Sequence, residues 1–194
     1  MQKKLFLCAP ADSGPRELIK RVLGGKLAEA GGFITKPSLN TDGALLGLEL
    51  FPAAAAADVE GFSGARFLDL TSSPPKTDNE VFRVEAVRLL QEAPYYPFSV
   101  LDEIGGFELV IPQFRQALAA FLSSPVPCIG IIRPLEEAEL LRSYLGLGER
   151  YIEFANRLRS SLDADSDVLI LDCEHFTPAQ IEASVRQWAE EYAR

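Results

Sequence analysis

The sequence predicts an α/β fold: a three-layer sandwich whose mainly parallel sheet is covered by helices on both faces, with a small antiparallel hairpin insertion. Three observations carry this. Short runs of Val, Ile and Leu recur without polar alternation, as at Val126 to Ile132 and Val168 to Leu171, the pattern of strands buried on both sides. Between them lie segments whose apolar residues recur at helical spacing. The 194 residues are 47% hydrophobic and 24% charged, which suits one domain spanning 1–194 with a sizeable core.

Lys3 to Ala9 reads as the first strand. Arg16 to Ala30 follows as a helix, with Leu18, Ile19, Val22, Leu23 and Leu27 on one stripe. Gly31-Gly32 ends that helix and Phe33-Ile34-Thr35 opens an extended segment. Ala44 to Phe51 and Arg66 to Leu70 are strands of the antiparallel insertion, with the alanine run Ala53 to Ala57 between them. Thr71 to Asp78 is polar and proline-containing, hence a surface loop. Glu80 to Glu92 is helical, presenting Val81, Val84, Val87 and Leu90 or Leu89 on one face. The apolar run from Pro97 then ends in Asp102-Glu103 and a turn at Gly105-Gly106. Phe107 to Ser123 has helical spacing through Phe114, Ala117, Leu118 and Phe121, and Val126 to Ile132 is the next buried strand. Leu135 to Leu145 and Tyr151 to Leu162 are amphipathic helices, Asp167 to Asp172 is a strand, and Pro178 to Tyr192 is a closing helix with proline in its first turn.

A net charge of −9 and a pI near 4.7 argue against nucleic acid as a partner, because such affinity rests on phosphate neutralisation by Lys and Arg. They leave room for a local pocket that takes one small phosphate ligand. The apolar runs fall far short of the ~20 residues that span a bilayer, and the start, Met1-Gln2-Lys3-Lys4, leads directly into a strand. The expectation is a soluble, cytoplasmic protein with no membrane contact. Cys8, Cys128 and Cys173 are odd in number, widely spaced and set in or beside apolar runs, so they read as small buried hydrophobes. The sole histidine, His175, lies beside Cys173 and Glu174, but strand neighbours point to opposite faces and no fourth ligand stands out for zinc.

Acids at the end of a buried strand stand where open sheets bind ligands and where phosphate enzymes hold Mg²⁺ and a water. The natural partner of Asp102-Glu103 is a phosphate loop after the first strand. Such a loop has the spacing G-x-x-x-x-G-K-[ST], whose amides wrap phosphates, whose lysine reaches the outer ones and whose hydroxyl holds Mg²⁺. The segment here is Ala9-Pro10-Ala11-Asp12-Ser13-Gly14-Pro15-Arg16, in which only the second glycine survives. Pro15 has no N–H to give and Arg16 cannot coordinate a cation. Asp12 within ~4 Å of a phosphate charge would be repelled by about 4 kcal/mol at an effective dielectric near 20, and the missing lysine forfeits roughly 1.5–3 kcal/mol. Two readings stand side by side. In one, Ser13 or Gly14 caps the helix, Pro15 fills its first position and Glu17 suits its positive end. In the other, Ser13, Gly14 and Arg16 form a degenerate phosphate site, with Arg16 reaching back from the helix.

In the order and spacing of its landmarks the chain resembles the nucleoside-triphosphatase family of the P-loop superfamily, which includes the cancer-related nucleoside triphosphatases of animals and their thermophile relatives. The landmarks are Leu5-Phe6-Leu7 before the loop, Gly32-Phe33-Ile34-Thr35, Gly43 and Gly47, then Leu101-Asp102-Glu103-Ile104-Gly105 continuing as Phe107-Glu108-Leu109 with Phe114 and Ala117. The resemblance covers roughly residues 3–132 and weakens beyond. It implies a catalytic pair, Asp102 organising Mg²⁺ and Glu103 positioning the attacking water. It also exposes departures: Lys36-Pro37-Ser38-Leu39-Asn40 stands where the family carries Glu and Arg, and Ala44-Leu45-Leu46 where it carries a basic residue.

Two functions compete. One is a fold that no longer hydrolyses, retained as a nucleotide-binding, regulatory or partner-contact module with an unknown protein partner. The alternative is an attenuated Mg²⁺-dependent nucleoside triphosphatase that uses Asp102 and Glu103. Phosphoryl transfer draws its acceleration from positioned positive charge, so joint loss of the lysine and the hydroxyl favours the first. Glu108 is expected to cap or brace the helix after it, and Tyr95 and Tyr96 to pack at the core or rim rather than stack on a base.

Overall fold

The computed structural model describes residues 2–10, 14–57 and 62–194. Its strands are β1 (Lys4–Cys8), β2 (Ala30–Leu39), β3 (Leu45–Pro52), β4 (Ala65–Asp69), β5 (Lys76–Thr77), β6 (Phe98–Ile104), β7 (Cys128–Ile132) and β8 (Val168–Asp172). They form one sheet in the order β5-β4-β3-β2-β6-β7-β1-β8. The block β2-β6-β7-β1-β8 is parallel. β3, β4 and β5 extend it antiparallel, so the expected insertion continues the sheet rather than standing apart from it.

Strand alternation explains why the parallel strands are apolar throughout: Leu5 and Leu7 enter one core, Phe6 and Cys8 the other. The first core lies against α1 (Pro15–Leu23) and α7 (Pro178–Tyr192), where Ile19, Leu23, Val185 and Trp188 meet Val100 and Ile129. The second lies against α2 (Asn79–Val81), α3 (Val87–Glu92), α4 (Pro112–Leu122), α5 (Ala138–Leu145) and α6 (Arg150–Asp163), where Phe82, Phe114 and Tyr151 meet Phe33 and Leu101. These are the three layers. α7 begins on a capping box, with Thr177 and Gln180 exchanging side-chain and backbone bonds ahead of Pro178. Among the described residues no helix is long and apolar enough to cross a membrane.

Several boundaries differ from expectation for local reasons. α1 stops at Leu23 because Gly24 turns to φ 53, and a 3-10 segment, Gly24–Glu29, carries Leu27 into the core. Gly31-Gly32 therefore lies inside β2 instead of ending a helix. A Cβ on Gly32, at φ +86, would stand 2.3 Å from the carbonyl oxygen of Val100, so glycine permits β2 to approach β6 there. Between α2 and α3 the backbone makes a π-helical turn, Phe82–Ala86, which shifts the phase and leaves Val84 52% exposed. The helix expected from Phe107 is broken before Pro112, with a 3-10 turn, Phe107–Val110, ahead of α4. The Thr71 to Asp78 loop contains the short strand β5.

Candidate functional site

Parallel strands bring their carboxyl ends to one edge of a sheet. At that edge stand Ala9 and Pro10 after β1, Thr35 on β2, Asp102 and Glu103 on β6, and Arg133 directly after β7. β6 does not stop at the acids as expected but runs on to Ile104, with a register shift against β7 between Asp102 and Ile104.

Asp102 stands in register with Ile34, and its side chain is 4% exposed. Arg16, in the first turn of α1, grips both of its oxygens: Nε donates to Oδ2 at 2.5 Å and Nη2 to Oδ1 at 3.0 Å. The same Nη2 donates to Thr35 Oγ1 at 3.0 Å. Burial pushes the Asp102 carboxyl up and the guanidinium pulls it back. Glu103 pairs with Arg133, which also reaches Glu137 at 3.1 Å. Burial raises the Glu103 carboxyl against the pull of that arginine. The Nε of Arg133 is buried without a hydrogen-bond partner.

The two acids line different cavities. One, of about 420 Å³, lies beside α1 and contains Asp102 with Val100 and Ile34. The other, of about 200 Å³, contains Glu103, Glu108 and Arg133 among Phe67, Phe82 and Phe107. Arg16, Thr35 and Pro37 line both.

Glu108 braces the turn before it rather than the helix after it. Its Oε1 accepts the N–H groups of Gly105 and Gly106, each at 2.8 Å, while the Tyr151 hydroxyl donates to the Gly105 carbonyl at 2.9 Å. Complete burial pushes the Glu108 carboxyl up to about 7 from 4.5. The folded state thus holds this proton more tightly than the unfolded chain, and stability is lost as pH rises from about 4.5 through 7. Glu108→Gln keeps an oxygen for both amides and removes the charge. Urea unfolding is expected to show the variant gaining about 2 kcal/mol on the native protein between pH 5 and pH 7; parallel pH profiles would contradict a Glu108 carboxyl raised by burial.

Of the other residues singled out, Ser13 and Asp12 lie outside the described residues. Gly14 is the N-cap of α1 at φ 87 with no side-chain cap bond, and Pro15 takes the first helical position, as the helix-start reading expects. Tyr95 is 87% exposed and so does not pack as expected, whereas Tyr96 lies against Gly31; both precede β6, at the opposite end of the sheet from Asp102. Cys8 and Cys128 are buried free thiols and Cys173 is half-buried. His175 pairs with Asp172 at 3.0 Å. Among the described residues no group of three His, Cys, Asp or Glu side chains is placed to hold a metal ion. Sequence reasoning missed Arg133 and Tyr151; a cation immediately after a buried strand, at the edge that carries Asp102, was the available signal for Arg133.

The profile of a family described as NTPase matches residues 4–165, so the likeness extends beyond residue 132. The fold is similar to the crystal structure of THEP1 from the hyperthermophile Aquifex aeolicus, at a TM-score of 0.57 and 17% identity, covering 98% of this chain and 99% of that one. It is similar also to the solution structure of a human cancer-related nucleoside triphosphatase, at a TM-score of 0.63 and 17% identity, covering 98% and 96%. No curated protein matches the sequence.

Proposed function

The chain belongs to the NTPase family, and from that premise we propose that it has lost hydrolysis and keeps the fold, residues 1–194 acting as one unit, as a nucleotide-binding, regulatory or partner-contact module. The observation that carries this is the grip of Arg16 on both oxygens of Asp102. A guanidinium is a permanent cation with donors only. It neutralises the carboxylate that the family resemblance assigns to Mg²⁺, from the sequence position where a phosphate loop carries its metal-binding hydroxyl.

The residues present do not fit Mg²⁺. The cation would need oxygen ligands at about 2.0–2.1 Å, yet both Asp102 oxygens are engaged and an ion beside them would face the Arg16 charge. Glu103 is similarly held by Arg133. An acid locked to a guanidinium is a poor base for a water, and Pro15 supplies neither the lysine charge nor an amide hydrogen to a phosphate. Thr35, Arg16 and the amides at the start of α1 still offer donors to a nucleotide or another small phosphate ligand.

The test is calorimetric titration with ATP and GTP, once with Mg²⁺ and once with a chelator. Any affinity is expected to be the same in both, within about threefold. Micromolar binding that requires Mg²⁺ would overturn the proposal in favour of an attenuated triphosphatase using Asp102 and Glu103.

A further inference from the structure

We propose that the cavity between α1 and β2 binds a small amphipathic carboxylate, with its head group on Lys36 and its apolar body against Ile19, Leu27, Ile34 and Val100. The cavity shares Arg16, Thr35 and Asp102 with the site above, but the proposal uses Lys36 and the apolar lining, so its failure is read with octanoate and that of the nucleotide reading with ATP and GTP.

The volume, about 420 Å³, falls within the ~300–1,000 Å³ of small-molecule sites. At ~30 Å³ per water-sized group it accommodates about 14 non-hydrogen atoms. Ile19, Leu27, Ile34 and Val100, all core residues, line its inner wall from α1, the 3-10 segment after it, β2 and β6, and an apolar inner wall is apt for a hydrocarbon body rather than for a sugar or a peptide.

Lys36 supplies the polarity. It is half-buried, alternates with Thr35 so as to share the face of Ile34, and lines the cavity. Its ammonium donates to the carbonyl oxygen of Ala55 at 2.8 Å and lies 5.2 Å from the centroid of the Phe51 ring. Neither partner carries a counter-charge. Glu49 stands opposite it on β3 but pairs with Arg66 at 3.4 Å. An ammonium uses one of three donors on the carbonyl, so a half-buried charge with spare donors is left at an apolar wall. That is a receptor for an anion, since partial burial strengthens its attraction relative to bulk water.

The sign and the size of the anion follow from the remaining charges. Asp102 is matched by Arg16, while Glu17 and Lys20 stand on the wall of the same cavity. With Asp102 matched by Arg16, the wall carries Lys20 and Lys36 against Glu17, a balance of one positive charge that suits a monoanion better than a phosphate dianion. A carboxylate on a body of about eight carbons meets both the volume and the charge.

The direct test uses octanoate as the probe in calorimetric titration of the full chain, with octanol, octylamine and octyl phosphate as partners of the same length and different charge. Octanoate is expected to bind with a Kd below about 1 mM and at least about tenfold more tightly than the other three. Lys36→Met should weaken octanoate about tenfold and leave octanol unchanged, and Ala56→Leu, which fills the cavity from its wall, should weaken both. Amide shifts on titration are expected at residues 34–37 and along α1. The proposal fails if octylamine binds as well as octanoate, if Lys36→Met binds octanoate normally while unfolding at the native midpoint, or if the shifts cluster elsewhere.

Discussion

Arg16→Ala is expected to cost about 3–4 kcal/mol of stability at pH 8, because it strands the Asp102 carboxylate, whose side chain is 4% exposed. The lower part of the usual ~3–5 kcal/mol range applies, since the arginine side chain itself is 33% exposed. Without the guanidinium, burial alone sets the carboxyl, which rises further above its ordinary value. The deficit of the variant therefore shrinks as pH falls and Asp102 takes up its proton. Arg16→Ala combined with Asp102→Asn is expected to recover at least half of the loss, because a neutral amide needs no counter-charge. A double-mutant cycle by urea denaturation reads the coupling. A loss under about 0.5 kcal/mol in the single variant would mean that the pair is a solvated surface contact, and the proposal that an internal cation occupies the site would lose its footing.

The pair also shows where the sequence stops being informative. Arg16 and Asp102 each stood out alone, one as a departure in the loop and the other as an acid ending an apolar run, but they lie 86 residues apart. Nothing local announces that they bond. Their meeting depends on topology: α1 returns across β6, because β7 is inserted between β1 and β6 and β2 lies on the far side. Arg133 and Glu103, 30 residues apart, meet because β6 and β7 are neighbours; the cation after a buried strand marks Arg133 in the sequence, but its partner follows only from the strand order.

The fold was more legible, for reasons specific to each element. β1, β6 and β7 are buried on both faces and β8, at the sheet edge, keeps an apolar run with Val168 and Leu171 buried and Leu169 and Ile170 half-buried, which removes polar alternation and leaves a strong strand signal. The start of α7 was legible from Pro178, whose missing N–H suits the first helical position, and the capping box of Thr177 and Gln180 reinforces it there. α1 was overrun because Leu27 continues the apolar stripe past Gly24, where the backbone has already left the α-helix. Val84 was misassigned because the π-helical turn shifts the face that a regular helix would bury. Glu108 was expected to serve the following helix, yet two glycine amides ahead of it are the nearer unsatisfied donors.

The second large effect expected is on turnover, which the proposed function puts at background. One positioned donor to a developing charge is worth on the order of 10²–10³ in rate. Here the lysine charge and the metal-binding hydroxyl are absent together, and both acids are held by arginines. Restoring the loop through Asp12→Gly, Pro15→Lys and Arg16→Thr removes the internal cation and returns the missing groups, and is expected to be necessary for turnover. The most direct measurement is phosphate release from Mg²⁺-ATP and Mg²⁺-GTP by the unmodified protein, by Glu103→Gln and by that triple variant. The account predicts no release above background from the unmodified protein and no change on Glu103→Gln. Robust Mg²⁺-dependent release by the unmodified protein, abolished by Glu103→Gln, would contradict it and show that Arg16 or another cation does the work of the missing lysine.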